Sequence, residues 1–208
     1  MTLKLILATL ILVGSEPVFA GSLKLNTEKS SGTFSLGTRN TISMFNDDDA
    51  IGKGIGGQFR LQFSDRLNSE WFADFITSKN SHYTFRNDYH IGWSLMYYFG
   101  TSVHFEKLLQ PYFIAGHCFD YSLVKEQNNE TNSANRLSMA TQAGAGTHLN
   151  ISKRFDCSLS VQYMLHFGKE IETNITDEAI TIERKNFSSP EGHLLVSLSF
   201  IYKLASFW

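Results

Sequence analysis

The sequence predicts an all-β protein, an eight-stranded antiparallel up-and-down transmembrane β-barrel. Three observations predict it. Helical periodicity is hard to find, whereas apolar side chains fall on alternate positions in eight separate segments. The polar parity of those segments carries Arg, Glu, Asp, Gln and Ser, and only one lysine, Lys203, so it lacks the lysine-rich face that a soluble barrel shows to water. The connections are short at one end of the meander and long at the other, the rule for membrane barrels.

Two parts of the 208-residue chain are distinguished. Residues 1–20 read as a cleaved signal peptide: Lys4 precedes an apolar run from Leu5 to Val13, and Val18 and Ala20 occupy the small-residue positions of a cleavage site. That run is too short to cross a bilayer as a helix. Residues 21–208 read as one barrel domain, with no Pro/Ser-rich linker and no later apolar run long enough for a membrane helix. A net charge of −2 gives no footprint for nucleic acid. Charged residues are only 18% and aromatics 13%, the balance of a chain with much of its surface away from water.

The segments follow in order. Gly32–Met44 sets Phe34, Leu36, Ile42 and Met44 against Ser35, Arg39 and Ser43. Gly54–Phe63 sets Ile55, Phe59, Leu61 and Phe63 against Gln58, Arg60 and Gln62. Leu67–Thr77 sets Leu67, Trp71, Ala73 and Phe75 against Asn68, Glu70 and Asp74, and His90–Phe99 sets Ile91, Trp93, Leu95, Tyr97 and Phe99 against His90, Gly92 and Ser94. Gln110–Leu123 is mixed on both parities, and a bulge near Gly116 would switch its facing. Arg136–Ile151 sets Leu137, Met139, Ala143 and Leu149 against Ser138, Gln142, His148 and Asn150. Phe155–Phe167 opposes Leu159, Val161, Tyr163 and Leu165 to Ser158, Ser160, Gln162 and His166. The closing strand presents Leu194, Val196, Leu198, Phe200, Tyr202 and Leu204 to lipid, with Ser197, Ser199 and Lys203 behind them, and is expected to end near Leu204. Phe63, Phe99, Tyr112, Phe167 and Tyr202 near strand ends read as interfacial girdles. An open sheet cannot satisfy its edge in hydrocarbon, so these strands must close on themselves.

Taken together, the leader, "QPYFIAG", "GAGTHLNISKRFDCSLSVQY" and the alternating, aromatic-ended C-terminus resemble the eight-stranded OmpA/OmpX-type outer-membrane barrels and the outer membrane protein beta-barrel domain. The resemblance spans roughly residues 32–208. It implies a cell outer-membrane location in a Gram-negative bacterium. Lipid and lipopolysaccharide would be neighbours, and the barrel-assembly machinery a partner during biogenesis. It further implies a structural or surface-interaction role, adhesion or membrane integrity, through loops 46–53, 79–89, 124–135 and 168–191, which would meet any extracellular ligand. Family members also include lipid A-modifying enzymes, deacylases or acyltransferases. A narrow pore and a soluble lipocalin-like carrier are the remaining alternatives.

The expected lumen holds a polar network of Arg39, Arg60, Glu70, Asp74, Gln142 and Gln162. Closing the "SDR" turn symmetrically about Asp65 sets Arg60 opposite Glu70, with Arg39 and Asp74 placed to extend the pair. An eight-stranded interior is just wide enough for side chains to fill, so the reading is a plug rather than an ion path. His148, His166 and His193 lie on consecutive strands with lumenal parity, a candidate for a metal or proton-relay cluster. His117, Asp120 and Ser122 share a strand, but His117 has the opposite parity to the other two. No spacing forms a ligand or catalytic motif, so no catalytic residue, metal or cofactor is assigned. Cys118 and Cys157 stand two strands apart, about 10 Å, too far for a disulfide.

Overall fold

The computed structural model describes residues 24–26, 29–45, 51–79, 83–99, 108–129, 131–176 and 180–208. The leader and residues 46–50 of the loop expected over 46–53 lie outside them. Eight strands run in chain order: β1 (Thr33–Phe45), β2 (Ile51–Gln62), β3 (Leu67–Lys79), β4 (Thr84–Tyr98), β5 (Leu109–Glu126), β6 (Ser133–Asn150), β7 (Phe155–Ile175) and β8 (Ile180–Ser206). Each pairs antiparallel with the next, and β8 returns to pair with β1, so the sheet closes as an up-and-down transmembrane barrel. Among the described residues the closed part has no unpaired sheet edge, and the β6–β7 and β8–β1 ladders end at Phe167 and His193.

Side-chain alternation decides which surface is which. Along β3, Glu70, Phe72, Asp74, Ile76 and Ser78 are buried, whereas Trp71, Ala73, Phe75 and Thr77 are exposed. The outer face is thus the apolar one and the lumen the polar one, the reverse of a lipocalin-like carrier. Phe75, Tyr89 and Tyr121 meet as a girdle at one end of the apolar band, with centroids 5.0 and 6.1 Å apart. Tyr97, Phe99 and Phe113 mark the other end. From Tyr89 to Phe99, at about 3.4 Å per residue and a tilt of about 40°, the band rises about 26 Å, close to the thickness a membrane barrel presents.

Four expectations are corrected. β5 keeps one facing throughout, its even positions inward, with no register shift against β4 or β6. Tyr112 is therefore a lumenal residue, buried with Met96, Tyr98 and Ile114, and not a girdle residue. The segments 79–89 and above all 168–191 are largely strand, and 124–135 is strand at its two ends. β7 and β8 continue as a paired hairpin to Ile175↔Ile180, so the walls rise past the upper girdle instead of breaking into loops. β8 runs to Ser206 rather than Leu204. A register shift between Phe34 and Ser35 admits an extra residue there, and Phe207 donates its N–H to the Gly32 carbonyl and stacks on Phe34.

Gly32 sits where the chain enters β1, at a φ of 80°. A Cβ there would meet the Trp208 backbone at 2.6 Å. Gly32→Ala is expected to lower stability by about 1–2 kcal/mol from the left-handed backbone alone, read as an earlier urea midpoint of the folded barrel.

Candidate functional site

The candidate site is the lumen, built by the inward positions of all eight strands. At the short-turn end, Lys203 Nζ lies 3.2 Å from Asp156 Oδ2, and Arg60 reaches the same carboxylate at 3.7 Å. His148 stands there between Arg60, at 3.3 Å, and the Tyr98 hydroxyl, at 2.9 Å. A cavity of about 30 Å³ among these residues has room for a water or two.

One step further in, Glu70 takes both guanidinium groups. Its Oε1 lies 2.8 Å from Arg39 Nη1 and its Oε2 lies 2.7 Å from Arg60 Nη2. The β2–β3 ladder sets Arg60 opposite Glu70, and Arg39 then reaches Asp74 at 3.2 Å and covers the Phe72 ring at 4.3 Å. Gln142 and Gln162 are buried in the lumen but outside this network. Gln142 donates to Ser94 at 2.8 Å and Gln162 to Ser160 at 3.5 Å.

Above the ion pairs lies an apolar layer of Phe72, Ile76, Cys118, Ala140, Met164 and Leu195. Two residues further along the same strands come Asp120, Ser138, His166 and His193, joined by His90 of β4. Asp120 Oδ2 accepts from Ser122 at 3.1 Å and Ser138 at 3.0 Å, and lies 3.1 Å from His166 Nδ1. Its Oδ1 lies 3.2 Å from His90 Nε2. The Nε2 atoms of His166 and His193 are 3.0 Å apart, and His193 Nδ1 is 3.1 Å from the Ser43 hydroxyl. A last layer closes the lumen: Arg86 binds Asp88 at 3.0 Å and also Glu191, which Arg136 binds in turn.

No family model matches the sequence, and no curated protein is detectably similar to it. Among solved structures it is similar to Neisserial surface protein A, at 14% identity and a TM-score of 0.55, over 82% of this chain and 96% of that one. It is also similar to the outer membrane protein OprG of Pseudomonas aeruginosa, at 15% identity and a TM-score of 0.52, over 88% of this chain and all of that one. The chain has the fold of the eight-stranded outer-membrane barrels.

On this barrel the closing stripe of β8 faces outward: Leu198, Phe200 and Tyr202 are exposed, and Leu194, Val196 and Leu204 half-exposed. The histidine grouping expected from strand order is corrected. His166 and His193 meet, but His148 pairs with Ser158 at the far end of the β6–β7 ladder, and the third member of the cluster is His90.

Ser138, His166 and Asp120 are not arranged as a hydrolase triad. Ser138 and Asp120 both approach Nδ1 of His166, at 3.4 and 3.1 Å. A catalytic triad needs serine and carboxylate on opposite ring nitrogens. On the lipid side, His117 packs edge-on against Trp93 at 6.0 Å and Phe119 at 5.2 Å, and among the described residues no serine or carboxylate bonds it. Cys118 and Cys157 are both free.

Proposed function

We propose that the protein is a closed barrel of a Gram-negative outer membrane that serves a structural or surface-contact role, presenting the extended hairpins at its long-strand end to the outside. The observation that carries this reading is the filled lumen. Ion pairs at both ends and an apolar layer between them occupy the inward side of every strand, as an interior with no transport path would. Outside, the apolar belt fits lipid, and the β7–β8 hairpin above it is polar, with Lys185 and Glu172 paired at 3.5 Å in the open. Lipid and lipopolysaccharide would then surround the belt, the hairpins would meet any external ligand, and the alternating end of β8 would be read by the barrel-assembly machinery.

Fractionation of expressing cells, combined with bilayer recording, tests the proposal. Recovery in the outer-membrane fraction, a heat-modifiable gel mobility and no steady conductance are the expected results. Recovery as a soluble periplasmic protein would sink the membrane assignment, and a stable open channel would sink the closed lumen.

A further inference from the structure

The charges of the lumen do not balance equally at its two ends. Toward the short turns, Arg39, Arg60 and Lys203 face Glu70, Asp74 and Asp156, cation for anion. Toward the long strands, Asp88, Asp120 and Glu191 face only Arg86 and Arg136 among the described residues. One negative charge is left over, and buried charge is compensated in folded proteins. The groups beside it are three imidazoles, those of His90, His166 and His193.

The ring nitrogens have an order that points inward. An ionised carboxylate only accepts hydrogen bonds, so the Nδ1 that His166 turns to Asp120 carries the proton, and its Nε2 is bare. That bare nitrogen faces Nε2 of His193 at 3.0 Å, while the far nitrogen of His193 is held by Ser43. A proton on His193 Nε2 would make this an ordinary N–H···N hydrogen bond, and a metal ion held by both nitrogens would satisfy the same contact. His90 decides between these. It is 1% exposed, its Nε2 lies 3.2 Å from Asp120 Oδ1, and its Nδ1 makes no hydrogen bond, which a proton between the other two rings leaves unexplained. One nitrogen from each of the three rings lies within 4.8 Å of the others.

We propose that His90, His166 and His193 form a binding site for a transition-metal dication of the zinc class, with Asp120 and Ser43 orienting the rings from behind. Imidazole donors suit zinc, nickel, copper or cobalt rather than calcium or magnesium. A tetrahedral zinc with nitrogens at about 2.0–2.1 Å holds them about 3.3–3.4 Å apart. The His166–His193 pair opens by a few tenths of an ångström to reach that spacing, and the His90 ring swings in to complete the set. A carboxylate behind a ligating histidine is the usual device for fixing tautomer and orientation. Bound there, the ion supplies the missing positive charge and ties β4, β7 and β8 together just below the Arg86–Glu191–Arg136 layer. The site depends on the closed lumen and not on the surface role.

Tag-free folded protein in detergent micelles, stripped with a chelator and titrated with Co²⁺, tests this. One equivalent is expected to bind with the intense visible band of a four-coordinate site, to be displaced by Zn²⁺ and to be unaffected by Ca²⁺. His90→Gln, His166→Gln and His193→Gln are each expected to lose the band, and Asp120→Asn to weaken binding about 10- to 100-fold. His148→Gln, at the other end of the lumen, is expected to retain it. Heat-modifiable mobility reports whether each variant has folded. His90→Gln removes a single polar contact, with Asp120, whose other oxygen keeps Ser122, Ser138 and His166, so it carries the test if the other variants fail to fold. Failure of the folded wild-type protein to take up Co²⁺ or Zn²⁺ would overturn the site and leave a proton as the missing charge. A band undiminished in folded His90→Gln would overturn it as well.

Discussion

Glu70→Ala is expected to destabilise the barrel by about 3–5 kcal/mol, the cost of removing one partner from a buried ion pair. The size follows from what is left behind. Glu70 holds Arg39 and Arg60 at 2.8 and 2.7 Å, and all three side chains are almost fully buried. Without the carboxylate, Arg39 keeps Asp74 at 3.2 Å, but the counter-ion Arg60 keeps is Asp156 at 3.7 Å, a carboxylate already engaged by Lys203. Two guanidinium groups then share the middle of the lumen with one anion fewer between them. Urea unfolding in vesicles, with the folded fraction read from gel mobility, measures the loss. The double variant Glu70→Leu/Arg60→Met is expected to recover much of it, because a buried pair exchanged for apolar groups of similar volume is often neutral. A wild-type urea midpoint for Glu70→Ala would show that the network does not hold the barrel closed.

That network was legible in the sequence because a tight turn fixes register. With "SDR" between two alternating segments, Arg60 has to face Glu70, and the ladder pairs them. The histidine cluster was not legible in the same way. Parity tells which face a side chain takes, but not its height in a tilted, staggered barrel. His148 and His166 share a face on adjacent strands, yet one pairs with Ser158 and the other with Ala140, which puts them near opposite ends of the ladder. His90 reaches His166 and His193 across the lumen from a strand adjacent to neither, a contact that no spacing along the chain encodes.

The long hairpin escaped for a different reason. Alternation is visible only where one face meets lipid. Beyond the girdle the outward face of β7 and β8 no longer meets lipid, so the apolar period fades while the hydrogen-bonded ladder continues to Ile175↔Ile180. Arg86, Asp88 and Glu191, which close the lumen, lie in or beside such stretches, and a polar stretch without alternation reads as loop.

The same boundary between lipid and water yields a prediction of the second-largest size. Leu95→Arg is expected to cost about 2–4 kcal/mol, whereas Thr77→Arg is expected to cost about 0–1 kcal/mol. Both side chains point outward. Leu95 lies near mid-height of the belt, between the Phe75–Tyr89–Tyr121 girdle and the Phe99–Phe113 pair. Thr77 lies beyond the upper girdle, opposite Lys53, where a cation is already accommodated. An arginine at 95 must either strip its water or draw water into the hydrocarbon, and one at 77 extends into the aqueous interface. Were the outer face of the barrel in water, both positions would be ordinary exposed surface, and each substitution would fall within about 0.5 kcal/mol of the parent. The difference between the two variants, measured by urea unfolding from the same vesicles, therefore reads the solvent of the outer wall directly. Equal midpoints would place that wall in water and remove the reason for an apolar belt of this height.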